Sequence, residues 1–185
     1  MSGGLTTQNS LLLNNLMNFY NRDDNMEKIL PIINGESEVS LRLIDWFATN
    51  YSKKNYTVYP LEDSVGNIKR FKVYIDYKLK LKAYSKKRFD PFCRWERINI
   101  PYNNDSYIQT TIGQLNFFRW ALENKIIDYI DKNLIAINND MNKRNSTAKN
   151  RKDKNNQTRK KREELSISAS KSIKKEQVEI VVDFK

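Results

Sequence analysis

Apolar residues recur at steps of three and four in the N-terminal part of the chain, which is the spacing of the buried face of an α-helix. Residues 12–20 follow this pattern, and residues 26–33 repeat it over a shorter length that Gly35 ends. A stronger pattern covers residues 38–52, where Ser37 stands at the position of an N-cap. The pattern therefore predicts three helices before residue 53.

A second helical region follows Thr111. Thr111 and Gln114 have the spacing of a capping box, in which the hydroxyl accepts from the third helical amide and the Gln side chain reaches back. The helical spacing continues to Ile137, and residues 123–125 leave open whether one helix or two span this region. Four aromatic side chains at helical spacing are predicted to lie in the core: Trp46, Phe117, Phe118 and Trp120.

The clearest period-two pattern lies in residues 71–84, and it predicts a β-strand with one face on the core and one in water. The apolar positions are Phe71, Val73, Ile75, Tyr77, Leu79, Leu81 and Ala83. Lysines occupy most positions between them, so the solvent-facing side of this strand is predicted to be basic. Asp90 and Pro91 are expected to end it, and shorter strands are predicted in residues 55–60, 95–100 and 177–185.

The order of elements predicts an α+β fold in which a small antiparallel sheet packs against helices. We predict an N-terminal helical extension (1–36) and an α+β core domain (37–140). A basic disordered arm (141–176) is expected to follow, because the apolar spacing ends there and Asn, Lys and Arg dominate. A short terminal β-strand (177–185) completes the chain.

The composition excludes several kinds of chemistry. The chain has no histidine and a single cysteine, Cys93, so it cannot form a Cys/His zinc site or a Ser–His or Cys–His nucleophile pair by itself. An internal disulfide is excluded for the same reason. We expect no cofactor and no bound metal. No apolar stretch approaches the roughly 20 residues of a membrane span, so no membrane partner is expected.

The positive charge is concentrated near the C-terminus. Residues 143–175 contain 13 Lys and Arg against three acids, a net charge of +10 in a chain of +11. Cations at this density repel one another until a polyanion binds, which favours nucleic acid as the partner. The predicted binding residues in this arm are Lys149, Arg151, Lys152, Lys154, Arg159, Lys160, Lys161 and Arg162. A solubilising tail and a nuclear import signal are the alternatives.

A second basic region coincides with the predicted strand. Residues 69–97 contain 11 Lys and Arg against three acids, and Tyr74 and Tyr84 lie between the cations, where rings can stack on bases. The predicted binding residues here are Lys72, Lys78, Lys80, Lys82, Lys86, Lys87, Arg88 and Arg94. The alternative is a solvated sheet face, on which lysines protect against edge-to-edge aggregation.

Three blocks of sequence, residues 40–51, 87–94 and 110–121, occur together with a basic tail that ends in a short strand. In this combination the chain resembles an uncharacterised protein family of nucleocytoplasmic large DNA viruses, especially mimivirus-like giant viruses. The resemblance spans roughly residues 37–185. It implies a viral setting, and it assigns no activity and no catalytic residues.

These observations lead to three hypotheses. The first is a non-enzymatic viral protein that binds DNA or RNA without sequence specificity, in genome packaging or viral gene expression. The second is a virion or assembly protein that self-associates or docks its terminal strand on a partner. The third is a Mg²⁺-dependent nuclease, in which Asp63, Asp76 and Lys78 have the required spacing. The expected location is the viral factory in the host cytoplasm, the nucleus or the virion.

Overall fold

The structure, a computed structural model, describes residues 7–62, 65–93, 95–101, 106–154 and 175–177. Eight α-helices lie in these residues, with a π-helical turn at Phe47–Tyr51 between the third and the fourth. The helices are α1 (Thr7–Tyr20), α2 (Asn25–Asn34), α3 (Leu41–Trp46), α4 (Ser52–Lys54), α5 (Val73–Phe89), α6 (Ile112–Glu123), α7 (Ile126–Lys132) and α8 (Leu134–Lys154). None of these described helices combines the length and the apolar character needed to cross a bilayer.

Five described strands form two small antiparallel sheets, so the predicted α+β class is confirmed. The strands are β1 (Val58–Glu62), β2 (Ile68–Lys72), β3 (Arg97–Pro101), β4 (Ser106–Thr111) and β5 (Lys175–Gln177). β1 and β2 form a hairpin in which Val58 lies opposite Lys72. β3, β4 and β5 form the second sheet in that order, and Ser106 lies opposite Gln177.

The N-terminal helices lie where the apolar spacing predicted them, except that a different serine caps the third helix. Gly35 ends α2 in the left-handed conformation, with φ of 75°, as its position predicts. The next helix begins at Leu41 rather than at residue 38. Its cap is Ser40, whose Oγ accepts a hydrogen bond from the Leu43 amide at 3.2 Å, while Ser37 Oγ accepts from the Val39 amide before the helix begins.

The helices of residues 1–36 are part of the main core instead of an extension from it. Leu16 and Ile29 are fully buried in the same hydrophobic cluster as the core of α6. Tyr20 is also buried, and its hydroxyl donates a hydrogen bond to the Leu115 carbonyl oxygen at 2.6 Å. The domain boundary predicted at residue 36 therefore does not separate two packing units among the described residues.

The predicted strand over residues 71–84 is wrong. β2 ends at Lys72, and α5 follows it directly from Val73. The same apolar residues also satisfy a helical spacing, in which Val73, Tyr77, Leu81 and Tyr84 face inward. Lysine is a good helix former, so the polar positions do not oppose the helix.

The inner face of α5 packs on α6 through an aromatic cluster, which explains why the helix prevails. The rings of Tyr77, Phe89, Phe117 and Trp120 have centroids 5.7–6.4 Å apart in tilted and edge-to-face arrangements. Such pairs add about 0.5–1.5 kcal/mol each beyond the burial of their surface. Trp46 is only half-buried, whereas Phe117, Phe118 and Trp120 lie in the core as predicted.

The region after Thr111 contains three helices, which resolves the alternative that the sequence left open. Thr111 Oγ1 accepts from the Gln114 amide at 3.1 Å, so the predicted cap is confirmed, and the Gln114 side chain accepts from the Thr110 hydroxyl. Lys125 adopts a left-handed backbone, with φ of 52°, and separates α6 from α7. Asn133 separates α7 from α8.

The predicted disordered arm, residues 141–176, begins within a described helix, and its disorder stays a prediction. α8 crosses residue 140 and continues to Lys154, because Ile137 and Met141 are buried and extend the helical apolar spacing. Residues 155–174 lie outside the described part of the chain. Of the predicted terminal strand, Gln177 lies in β5, which pairs with β4 of the same chain, and residues 178–185 are also outside the described part.

Gly113 permits the close approach of α6 to the end of α5. A Cβ at this position would lie 3.0 Å from the Asp90 carbonyl oxygen and 3.1 Å from the Lys87 carbonyl oxygen. These are backbone atoms that cannot move without shifting the helix.

We predict that Gly113→Ala lowers the free energy of unfolding by about 1–3 kcal/mol. Alanine is a better helix former than glycine by about 1 kcal/mol. A net loss in the free energy of unfolding must therefore come from the steric conflict of the added methyl group. Urea unfolding measures it, with Ala136→Gly at an exposed helical position as the control for propensity. Unchanged or increased stability of Gly113→Ala would contradict the close approach.

Asp45 is a partly buried carboxyl near the end of α3. Burial and the negative charge of Asp90 raise the pKa of Asp45 to about 7. The unfolded chain holds this group near its ordinary pKa, so the folded state binds the proton more tightly. The stability that protonated Asp45 contributes is therefore fully present below about pH 4 and is lost as the pH rises through 7.

We predict that Asp45→Asn raises the melting temperature at pH 8 and has a smaller effect at pH 5. The amide cannot ionise, so the variant avoids a cost of about 1–4 kcal/mol that the charged carboxyl imposes above pH 7. Thermal unfolding at both pH values measures this, with the exposed Asp131→Asn as control. The same pH dependence in both variants would show that Asp45 does not titrate as described.

Candidate nucleic-acid interface

The helical conformation of α5 redistributes the predicted binding lysines. On a helix, residues three and four apart share a face, so Lys78 and Lys82 lie together with Ile75 and Leu79. All four side chains are exposed. Lys80 stands about 200° from Lys78 around the helix and is half-buried, so it lies apart from them. The single basic sheet face predicted for these lysines is therefore corrected.

Lys72 joins this exposed face from the end of β2. Lys69 and Arg70 are also exposed on the same strand, although neither was among the predicted residues. We name this region the hairpin–helix surface. It consists of Lys69, Arg70, Lys72, Ile75, Lys78, Leu79 and Lys82.

The remaining predicted cations of this region follow a break in α5. Ser85 has φ of 66°, a left-handed conformation that turns the last residues of the helix away from its axis. The Lys87 ammonium lies 3.9 Å from the centroid of the Trp95 ring, and Arg88 donates to Asn9 at 2.7 Å. Lys86 is exposed beside them, and Arg94 lies outside the described residues. Lys87 and Arg88 thus contact the protein's own body.

Two grooves border the hairpin–helix surface and share Lys72 and Ile75. The larger, of about 430 Å³, lies between the hairpin and α5, and we name it the hairpin groove. Its lining includes Leu61, Lys69, Phe71 and Leu79, together with the carboxylates of Glu62 and Asp76. The second, of about 410 Å³, we name the tyrosine groove; its other lining residues are Ser52, Lys53, Tyr56, Thr57, Val58 and Tyr74.

The hairpin is held against the helices by Tyr59, a half-buried tyrosine of β1. Tyr59 donates a hydrogen bond to the Asn124 carbonyl oxygen at 2.6 Å, and its ring stacks on Tyr129 at 5.0 Å. Burial, with smaller contributions from Tyr129 and nearby carboxylates, raises the pKa of Tyr59 well above its ordinary value. The phenol therefore stays neutral and remains a donor to Asn124.

Three lysines of this surface, Lys72, Lys78 and Lys82, are exposed to solvent. In the part of the chain that the structure describes, no carboxylate lies within salt-bridge distance of Lys72, Lys78 or Lys82. Ion pairs outside this surface join Arg119 to Glu123 and Asp140 to Lys54 and Arg144. These three lysines are consequently available for an external anion.

Asp140 connects the first half of α8 to the body. Its carboxylate accepts from the Trp46 indole at 3.2 Å and from Lys54 at 3.1 Å, and Arg144 lies 3.6 Å away. Burial alone would raise the pKa of Asp140, but the two hydrogen bonds and the charges of Arg144 and Lys54 lower it overall. The carboxylate therefore remains charged and holds the helix in place.

The predicted residues of the basic arm divide at Lys154. Helix α8 includes the first four of them, Lys149, Arg151, Lys152 and Lys154. Arg159, Lys160, Lys161 and Arg162 lie outside the described residues. Part of the basic arm is thus a helical continuation of the folded body.

The nuclease constellation is not formed as the sequence suggested. Asp76 and Lys78 are two residues apart on a helix and point in different directions, whereas the hypothesis placed them on one strand face. Asp76 accepts a hydrogen bond from the Trp120 indole at 2.6 Å. Asp63 lies outside the described residues, and the described residues contain no cluster of three potential metal ligands.

Several residues of the candidate interface were not predicted from the sequence. They are Lys53, Tyr56, Lys69, Arg70, Ile75 and Leu79. The strand interpretation assigned Ile75 and Leu79 to the core, yet 54% and 61% of their surface is exposed. The available signal was the helical spacing of Val73, Tyr77, Leu81 and Tyr84, which places Ile75 and Leu79 on the opposite side.

Comparison with known proteins places the chain in a family. The model of a family of unknown function, DUF7197, matches residues 5–184. The chain belongs to this family. Uncharacterized protein L507 of Acanthamoeba polyphaga mimivirus is 46% identical to it over 131 residues, which cover 68% of this chain and 49% of the mimivirus protein.

The chain thus spans about half the length of this curated relative. These findings confirm an uncharacterised family with a member in a giant virus, as the three sequence blocks suggested. A wider distribution of the DUF7197 family among large DNA viruses stays a prediction. No solved structure gives a significant match to the chain.

We predict that Asp76→Ala lowers the free energy of unfolding by about 1–3 kcal/mol, because the indole nitrogen of the buried Trp120 loses its acceptor. Asp76→Asn keeps an acceptor oxygen and should retain more of the stability. Chemical denaturation of both variants measures the difference, with Asp128→Ala at an exposed position as control. Equal stability of Asp76→Ala and the parent protein would contradict a structural role for this carboxylate.

Proposed function

We propose that this protein is a non-enzymatic nucleic-acid-binding protein that engages phosphates with the hairpin–helix surface and the basic C-terminal segment. The observation that supports this function is the exposure of Lys72, Lys78 and Lys82 without carboxylate partners among the described residues. A phosphate backbone supplies the missing charges in a regular array.

The second support is the distribution of charge along the chain. Residues 143–175 carry a net charge of +10, and their first part continues the folded body as α8. Asp140 and its partners hold that helix to α3 and α4. The cations of the arm and those of the hairpin–helix surface thus belong to one molecule that can contact many phosphates at once.

The chemistry of these cations favours binding without sequence specificity. Lysine is a flexible point charge that binds phosphates, and the planar bidentate contacts that read bases come mainly from arginine and amide side chains. Phosphate contacts position a protein on nucleic acid and carry no direct sequence information. Together with the mimivirus relative, this supports a role in genome packaging or viral gene expression, in the host cytoplasm, nucleus or virion.

Assembly is a second candidate function. In the three-stranded sheet of the described residues, β5 pairs with β4 on one side only. β5 is therefore an edge strand. A neighbouring chain or a virion protein can add a strand at such an edge. Self-association that persists after nuclease treatment would favour assembly over nucleic-acid binding.

We predict that the double variant Lys78→Gln/Lys82→Gln binds nucleic acid more weakly and with a smaller salt dependence. Each lost phosphate contact should reduce the slope of log K against log salt by about 0.7–0.9, so the slope should fall by roughly 1.4–1.8. Fluorescence anisotropy with a labelled 20-mer, single-stranded and duplex, at several salt concentrations measures both quantities.

The matched control is Lys28→Gln/Lys132→Gln, which removes the same charge from exposed positions on α2 and α7. It should leave the slope nearly unchanged. Neutralising Arg159–Arg162 tests the arm in the same assay and should also reduce the slope. Absence of binding by the parent protein at low salt, or equal effects of the two lysine pairs, would reject the proposed function.

A further inference from the structure

We propose that the tyrosine groove binds an unstacked base of single-stranded nucleic acid, so that this protein prefers single strands to duplex. This inference rests on the proposed function and names its substrate class. The groove is lined by Lys53, Tyr56, Val58, Lys72, Tyr74 and Ile75. Its volume of about 410 Å³ lies within the roughly 300–1,000 Å³ of sites that hold small organic groups.

Tyr56 is the most unusual residue of the groove. Its side chain is 87% exposed, the largest exposure among the large hydrophobic side chains of the described residues. Its backbone has φ of 47°, a left-handed conformation that a bulky residue rarely adopts. Tyr56 lies just before β1 and lines the groove, so a base that enters the groove can stack on its exposed ring.

A second ring faces the same groove. Tyr74 lies in the first turn of α5 and is half-buried, and the Lys53 ammonium lies 5.5 Å from its ring centroid. Aromatic side chains beside cations are the usual elements of single-strand binding, because every base has a face that can stack. Val58 and Ile75 also line the groove and add exposed apolar surface to it.

The charges of the groove suit a single strand. Lys53 and Lys72 are among its lining residues, and no carboxylate is among those that the structure describes there. The hairpin groove, by comparison, also contains Glu62 and Asp76. Backbone phosphates on either side of a bound base can therefore contact the two lysines without acidic competition.

Duplex nucleic acid can make fewer contacts with this surface than a single strand can. The faces of paired bases are stacked inside the helix, so a duplex offers phosphates to the lysines and little to Tyr56 or Ile75. A single strand offers both phosphates and base faces. The preference between the two substrates thus depends on the tyrosines, while binding to either depends on the lysines.

The test compares Tyr56→Ala with the parent protein, using the full chain. Binding of a fluorescein-labelled 20-mer of thymidine and of a labelled 20-base-pair duplex is measured by anisotropy at one low salt concentration. We expect Tyr56→Ala to weaken single-strand binding about 5- to 100-fold and to change duplex binding by less than about twofold. Tyr56→Phe should retain single-strand affinity, because the ring still stacks.

Ile135→Ala is the control, since it removes an exposed apolar side chain from α8 outside both grooves. It should change neither affinity. Circular dichroism verifies that the exposed substitutions leave the fold intact. If Tyr56→Ala binds the single strand as well as the parent does, while Lys78→Gln/Lys82→Gln weakens binding to both oligonucleotides, the inference is overturned and the proposed function stands.

Two other outcomes also decide the question. If neither oligonucleotide binds the parent protein at low salt, the proposed function and the inference both fail. A synthetic peptide of residues 176–185 is apolar and acidic, and it represents a competing type of ligand for the groove. Peptide binding that Tyr56→Ala abolishes, with unchanged binding of the single strand, would overturn the inference in favour of a peptide site.

Discussion

The packing of α5 on α6 is the constraint from which the candidate interface follows. The aromatic cluster of Tyr77, Phe89, Phe117 and Trp120 joins the two helices, and the Trp120 indole donates to Asp76 across the contact. Gly113 lets their backbones approach closely. Because these contacts require Tyr77 to face α6, the part of α5 before Ser85 is helical and its exposed side is determined at the same time.

That exposed side of α5 combines apolar and basic side chains. Ile75 and Leu79 stand in solvent beside Lys78 and Lys82. Burying the apolar side chains in the core would move the inner face of the helix outward, so the fold itself maintains their exposure. Apolar surface among cations is compatible with a ligand that has both aromatic faces and negative charge, and a single nucleic-acid strand has both.

The basic C-terminal segment is connected to this body by a defined contact. Asp140 accepts hydrogen bonds from Trp46 and Lys54, and Ile137 and Met141 are buried beside it. The first part of the basic segment therefore leaves the core as a helix in a set direction. Under the proposed function, a tether of this kind keeps these cations close to a nucleic acid bound by the same molecule.

Sequence patterns alone predict the α+β class, the cap at Thr111, the end of α2 at Gly35 and the concentration of charge in residues 143–175. Each of these depends on local spacing or local composition, so neighbouring residues contain the information. Residues 71–84 satisfy both a period of two and a helical spacing, and only the aromatic partners on α6 decided between them. The grouping of Lys53, Tyr56, Lys72 and Tyr74 around one groove is likewise a result of tertiary structure, because it depends on how the hairpin packs against α4 and α5.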